Sequence, residues 1–553
     1  MESVEGTEGL NQVWYLDDGG LRGRASVVSA AFDALCGQLL ARGLRVNTHK
    51  CEVYAFSCPQ LHGALAEVPM ELCFDKWPYL GAPIREQSMA ALAGTLRRIE
   101  AVDEGIRQLA ANYPCQALQL LRASTGACRV EFLLQTVPSS CVVDQLVVTT
   151  EKGLRMGFAA VLGLEQLPDH IWNLATVPLR LGGLGLRAPS RVQYASRLAS
   201  LVSVADFAKR LGASEAVITM QLSRALVLYE RQLGASLNAP LKPEKFLQAQ
   251  LTEPLHRRVL DAVIQASGAT QTERLNALST PHSTSWTTDS ALHSPLSAGE
   301  FRCALRWILG IPFRETSYRC PDCGRPADKF GVHAVTCLRS GAIGRGHTLL
   351  RDTLGALLTQ AGVPVIWEAR LPEGSVGIEE SGRRPGDLLF AWQGKHVALD
   401  CTILTTVRAS AAGDGNLMDH AAATKLHQNQ ALCKAVGRDC LPFVANTFGA
   451  LHSDARKFLS SFITLKGGAF GPGTPAQAGR AIWSAVSGAA VARAACQICR
   501  HECIDRPLGA STNLLDLATP RQATSVALPR IPRSGIQLMV ATTNDDTWFW
   551  TPR

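Results

Sequence analysis

The chain is poor in charge and in aromatic residues: 18% of it is Asp, Glu, Lys or Arg, and 6% is Phe, Trp or Tyr. No apolar run reaches membrane-spanning length without a charge or a helix breaker, so no membrane partner is expected. The first residues lack a basic stretch followed by an apolar core, which excludes a secretory signal from the reading. No internal repeat is evident, and there is no strong basic import cluster. The 17 cysteines are odd in number and scattered, with one Cys-x-x-Cys pair near a His. That usage points to reduced thiols and a metal rather than a disulfide framework, and hence to an intracellular location. The net charge of +8 is compatible with nucleic acid without arguing for it. With 553 residues and 46% apolar content, several domains with sizeable cores are expected.

Near the start, Val13-Trp14-Tyr15-Leu16-Asp17-Asp18 reads as a strand, and Asp17-Asp18-Gly19-Gly20 as a turn. Paired carboxylates at a hairpin tip suit a divalent cation with a preference for oxygen ligands. Taken alone, a solvated hairpin tip is the plainer reading. Val27 to Leu44 then reads as a helix, followed by Gly43-Leu44-Arg45-Val46-Asn47-Thr48-His49-Lys50-Cys51-Glu52 and by Tyr79-Leu80-Gly81-Ala82-Pro83-Ile84. In this order the three segments resemble the catalytic Tyr-x-Asp-Asp box, the following Asn/Lys segment and the primer-grip turn of non-LTR retrotransposon reverse transcriptases. The resemblance implies a polymerase palm over 1–85, with Asp17, Asp18 and Lys50 as its vestigial site. A two-metal polymerase needs a further carboxylate from an earlier strand. Glu2, Glu5 and Glu8 lie in a Gly-containing leader without a strand pattern, so the expectation is a carboxyl-terminal portion that does not polymerise alone.

Helical periodicity over 86–165 (Met89, Leu92, Leu96, Ile99, Val102, Ile106, Leu109) corresponds, under the same resemblance, to a thumb. A helical connector over 166–267 contains Leu181-Gly182-Gly183-Leu184-Gly185-Leu186-Arg187. These glycines suit a tight packing turn better than a phosphate cradle, because their spacing is not that of a nucleotide-binding loop. Residues 268–298 are crowded with Ser and Thr and read as a linker. C-terminal helices over 463–506 and an irregular tail over 507–553, with Trp548-Phe549-Trp550, complete the chain.

A helix over Glu300 to Leu309 precedes Cys320, Cys323, His333 and Cys337, spaced Cys-x2-Cys-x9-His-x3-Cys. Two thiolates on a tight turn and a His/Cys pair one helical turn apart can close a tetrahedron around Zn²⁺. Four ligands leave no open position, so a structural zinc is expected, with the knuckle spanning 299–340. The Cys496-to-Cys503 cluster lies on an Ala-rich helix and does not converge easily on an ion.

Over 341–462 the pattern is α-β-β-β-α-β. A helix spans His347 to Ala361, a strand Val363 to Leu371 carrying Glu368, and a strand Leu388 to Trp392 opened by Arg384-Pro385-Gly386-Asp387. A strand His396 to Ile403 carrying Asp400, a helix from about Asn416 to Val436 and a strand Leu441 to Thr447 follow. Asp387 opening one strand and Asp400 late in the next resemble a restriction-like nuclease core, where two carboxylates at one sheet end hold Mg²⁺ or Mn²⁺. The core's usual lysine position is occupied here by Thr402. In non-LTR elements with this nuclease the lysine moves to the following helix, where Lys425 matches, and Asn429 replaces a frequent Tyr. Glu368 is a third, weaker metal partner in this reading.

The fold class expected is therefore mixed α/β and multidomain: partial palm, α-helical thumb and connector, zinc knuckle, and restriction-like core. The function expected is Mg²⁺-dependent DNA nicking by a retrotransposon-derived protein. DNA and element RNA are its partners, and the resemblance implies a nuclear setting. The rivals are a non-catalytic nucleic-acid-binding remnant and one part of a split or longer RNA-directed DNA polymerase.

Overall fold

The computed structural model describes residues 9–15, 18–55, 62–68, 70–72, 78–79, 82–83, 89–210, 212–237, 241–288, 296–371, 384–407, 417–470, 474–501 and 537–541. It is a mixed α/β chain, mostly helical with small sheets.

The first layer is a sheet with helix α1 (Ala25–Ala41) on it. Its strands are β1 (Asn11–Tyr15), β2 (Asp18–Arg24), β3 (Glu52–Ala55) and β4 (Met70–Leu72), with β13 (Gln537–Ala541) between β2 and β3. β1 and β2 form a hairpin in which Tyr15 pairs with Asp18. Asp18, Gly19 and Gly20 belong to β2, because a two-residue hairpin loop fixes the register on either side. Asp17 and the Leu80-Gly81 turn lie outside the described residues, as do Glu2, Glu5, Glu8 and Trp548-Phe549-Trp550. Helix α1 ends earlier than periodicity predicts: Gly43 turns left-handed (φ 76°) and the Leu44 N–H closes onto the Leu39 carbonyl at 2.9 Å.

After the short hairpin β5 (Pro78–Tyr79) and β6 (Ala82–Pro83), helices dominate. They are α2 (Met89–Asn112), α3 (Pro114–Ser124), α4 (Ala127–Thr136), α5 (Cys141–Leu162), α6 (Asp169–Thr176), α7 (Pro189–Arg210), α8 (Glu215–Leu233) and α9 (Leu247–Gln265). The glycine loop between α6 and α7 is a packing turn. Gly182 and Gly185 have positive φ, and a Cβ on Gly183 would run into the Val177 and Leu174 carbonyls.

The Ser/Thr-rich stretch is not a linker as far as residue 288. It forms α10 (Ala269–Leu278) and a buried turn in which Trp286 is 2% exposed. The hydroxyls bond their own backbone, Ser283 Oγ to the Leu278 carbonyl (2.6 Å) and Thr287 Oγ1 to the Thr284 carbonyl (2.7 Å). Such local bonding lets a linker-like composition pack inside a fold. His282 stacks on Trp483 at 4.0 Å, and the Trp286 N–H donates to Ser487 Oγ at 3.0 Å.

Helix α11 (Ala298–Leu309) opens with a capping box between Ser297 and Glu300. The hairpin β7 (Tyr318–Arg319) and β8 (Pro326–Ala327) and helix α12 (Val332–Thr336) follow. Then come α13 (Ala342–Gln360), β9 (Val365–Trp367), β10 (Leu388–Trp392), β11 (Lys395–Leu404), α14 (Leu417–Ala435) and β12 (Arg438–Asn446). The sheet order is β12-β11-β10-β9, antiparallel except for the parallel β11–β12 pair joined by the α14 crossover. β9 stops before Glu368, whose backbone turns left-handed (φ 49°), so the strand is shorter than its apolar run.

Helices α15 (Ser453–Lys466) and α16 (Pro475–His501) close the body. Helix α16 is not peripheral. Ile482, Trp483, Val486, Ala489 and Ala490 belong to the core around the β9–β12 sheet, whereas Val491, Ala494, Ala495 and Ile498 belong to the core of the preceding helices. It is long and apolar enough to cross a membrane, but 89% of its apolar window is buried in the fold. Of its arginines, Arg480 and Arg500 are exposed near its ends, and the buried Arg493 donates to backbone carbonyls. Trp286→Ala is expected to destabilise the chain by about 3–5 kcal/mol in denaturant unfolding, whereas a linker residue would change it by less than about 0.5 kcal/mol.

Candidate functional site

Leu388 pairs with Leu399 across β10 and β11, and the Asp387 N–H donates to the Leu399 carbonyl at 2.8 Å. The ladder ends at that pair: the Asp387 N–H bonds to the Leu399 rather than the Asp400 carbonyl, so Asp387 sits one place off the register, with its carboxylate still near enough to Asp400 to act on it. The two carboxylates feel each other's charge, and that of Asp387 acts to raise Asp400. Their odd neighbours Leu399, Cys401 and Ile403 point the other way into the apolar core.

Helix α14 covers the carboxylate face. Lys425 and Asn429 are four residues apart and share one side of it. Lys425 Nζ lies 2.9 Å from Asp400 Oδ1, and Asn429 Nδ2 donates to Asp400 Oδ2 at 2.8 Å. The Asp400 side chain is 9% exposed and that of Lys425 29%. Asp387 Oδ2 accepts the Cys401 N–H at 2.7 Å and lies 3.1 Å from His347 Nε2 on α13. Its Oδ1 has no hydrogen-bond partner among the described residues.

The two acids titrate in opposite directions. Burial pushes the Asp400 carboxyl up; Lys425 opposes the rise and the Asp387 charge adds to it. Burial also acts to raise Asp387, but the His347 hydrogen bond and the Cys401 N–H outweigh it and bring the carboxyl below its usual range. His347 is raised in turn, chiefly by its bond to Asp387.

The structure thus brings Asp387, Asp400 and Lys425 together, and adds His347, which sequence reading missed. Its position on the helix before the sheet gave no pattern signal. Glu368, expected as a third metal partner, does not join them. Its Oε1 accepts from Arg351 at 2.7 Å and its Oε2 pairs with Arg384. The left-handed backbone at the end of β9 turns it to these guanidiniums. Thr402 lies two residues beyond Asp400, on the same sheet face by strand alternation. The side chains of Asp18 and Lys50 are not described, so the polymerase-like residues form no described site.

A second cluster lies in the β7–β8 hairpin and α12. The ligand atoms of Cys320, Cys323, His333 and Cys337 all fall within 4.8 Å of one another. Cys320 and Cys337 sulfurs are 3.9 Å apart, and Cys323 Sγ is 3.2 Å from His333 Nε2. This soft thiolate and imidazole set, closing toward a tetrahedron, could hold a metal such as zinc. The Arg325 N–H and, less strongly, His333 bring the Cys323 thiol down to about 7, whereas burial raises Cys337. Metal binding would therefore displace protons from the remaining thiols.

Asp322, inside the Cys-x-x-Cys turn, is claimed by α16. Its carboxylate meets His501 Nε2 at 2.8 Å, Gln497 Nε2 at 2.9 Å and Arg500 at 3.0 Å. His501 also meets the Tyr318 hydroxyl at 3.0 Å. These contacts tie His501 to the hairpin, while Cys503 lies outside the described residues. One turn and more before, Arg493 donates to the Val335 carbonyl in α12 (3.3 Å) and to the Ile403 carbonyl in β11.

No protein-family model matches the sequence, and no curated protein matches it. Wild-type protein is expected to carry about one zinc per chain. Cys323→Ser should lower the zinc content and speed hydrogen exchange over residues 315–340 while leaving the β1–β4 sheet unchanged. Metal analysis that finds no zinc in the wild type, or no loss in the variant, would contradict the site.

Proposed function

We propose that this chain is a divalent-metal-dependent endonuclease that nicks DNA. In this reading its 341–462 region is a restriction-like core of the kind found in non-LTR retrotransposons, set behind a structural zinc knuckle. The observation that carries the reading is the nearness of Asp387 and Asp400 at the end of β10, with Lys425 on Asp400. The donor set fits Mg²⁺ or Mn²⁺: two neighbouring carboxylates, Asp387 Oδ1 without a hydrogen-bond partner among the described residues, and no soft ligand among them. Such an ion supplies Lewis-acid stabilisation of the phosphoryl oxygens and a more acidic bound water. Asp387, held below the usual carboxylate range, is ionised and positioned by the Cys401 N–H. Lys425 supplies a fixed cation beside the phosphate and offsets the charge that develops there.

The chain's remaining parts take their roles from the same resemblance. The β1–β2 hairpin and the helices after it would be palm and thumb of a reverse transcriptase, and α6–α9 a connector. DNA is the partner, element RNA a second one, and the nucleus the setting. A non-catalytic DNA-binding remnant is the second reading. It is favoured by Asn429, which stands where a Tyr is frequent and, with Lys425, occupies both oxygens of Asp400.

Asp387→Ala should abolish Mg²⁺-dependent nicking of supercoiled DNA and leave folding and DNA affinity intact, because base-independent affinity comes from cation–phosphate contacts. Lys425→Ala should lose cleavage more than binding, and Thr402→Lys, restoring the usual lysine position, should partly rescue it. Nicking that survives Asp387→Ala would overturn the proposal, and a wild type that binds DNA without nicking it would favour the remnant.

A further inference from the structure

Glu368 is held in a backbone conformation that side chains rarely adopt, with φ 49°. Strain of this kind persists only where surrounding contacts impose it. Here its N–H donates to the Asp387 carbonyl at 2.8 Å, Arg351 Nη1 lies 2.7 Å from Oε1, and Arg384 pairs with Oε2. Arg351 stands one turn after His347 on α13, and Arg384 three residues before Asp387. The two guanidiniums come from different elements, and Arg351 lies near enough to Asp387 to feel its charge. Arg351 is further fixed by Asp352, at 2.9 Å, and by the Trp367 ring, 5.6 Å from its guanidinium carbon. The contact that Glu368 makes with Arg384 is open to solvent: its side chain is 42% exposed and that of Arg384 46%. Water competes well for an ion pair this open. A guanidinium fork that fits a carboxylate fits a phosphate equally well.

We infer that Arg351 and Arg384 are a binding site for a DNA phosphodiester beside the one cleaved, and that Glu368 holds their place until DNA arrives. The incoming phosphate displaces the Glu368 carboxylate from both guanidiniums. Glu368 is then a guard of the site and not a metal ligand. The inference rests on the nuclease reading for its choice of DNA as ligand.

The test uses the full chain, a fluorescein-labelled duplex of about 30 base pairs, and Ca²⁺ in place of Mg²⁺ so that the strand stays intact, with anisotropy followed over a salt series. Glu368→Gln should tighten binding roughly threefold or more at low salt, since it frees two cations for phosphate. Arg384→Gln should weaken binding on every sequence and reduce the salt slope by about one, whereas Arg384→Lys should retain the slope. Unchanged or weaker binding by Glu368→Gln would overturn the inference, as would an unchanged slope in Arg384→Gln. Loss of Mg²⁺-dependent nicking in Glu368→Gln at unchanged affinity would overturn it too, by returning Glu368 to the metal. A wild type that never nicks, alongside tighter binding by Glu368→Gln, supports the clamp and overturns only the nuclease reading.

Discussion

Two acidic side chains held near each other, Asp400 on β11 and Asp387 just before β10, repel, and the local structure is organised around that repulsion. Asp400 is the more enclosed acid and takes the larger share of help, with Lys425 at 2.9 Å and Asn429 at 2.8 Å. Asp387 relies on a backbone N–H from the strand that carries its rival and on His347. Neither solution is available to the other residue. The direct bonds differ: Asp400 is held by Lys425 and Asn429 on α14, and Asp387 by His347 on α13. The asymmetry leaves one acid ionised and one raised, which a bound dication would level by stabilising both charges.

The sheet that brings the two acids together depends in turn on α16. Its first half completes the core behind β10 and β11, and its second half belongs to the core of the helices and the knuckle. Arg493 marks the crossing point, bonded both to Val335 beside the knuckle and to Ile403 on the Asp400 strand. A buried guanidinium with two carbonyl partners is costly to break, because each loss strands a polar group. The knuckle and the carboxylate sheet therefore share one rigid support, and Asp322 with His501 pins its far end.

Much of the region around the site could be read from the sequence, and the reasons are local. Alternation along β10 and β11 and the short Gln393-Gly394 turn fix the register, which brings the end of β10 that precedes Leu388 beside the Asp400 part of β11. Helical spacing puts Lys425 and Asn429 on one side of α14. The ligand spacing of the knuckle carries its geometry directly. What failed depended on contacts distant in the chain. Glu368 follows an apolar run and reads as a strand residue, but a backbone turn and two arginines from separate elements redirect it. His347 lies on an amphipathic helix whose pattern says nothing about what its polar face meets. The Ser/Thr-rich stretch looked like a linker because hydroxyl-rich composition does not reveal that Trp286 and His282 pack against α16.

The account turns on whether the neighbouring acids hold a divalent ion. Diffraction from crystals soaked in Mn²⁺, recorded with its anomalous signal, tests this most directly. The account requires one peak between Asp387 and Asp400, with an oxygen of each about 2.1 Å away, and none at Glu368. The peak should vanish in Asp400→Asn. A carboxylate pair that stays empty at millimolar Mn²⁺, or an ion seated on Glu368 instead, would contradict it.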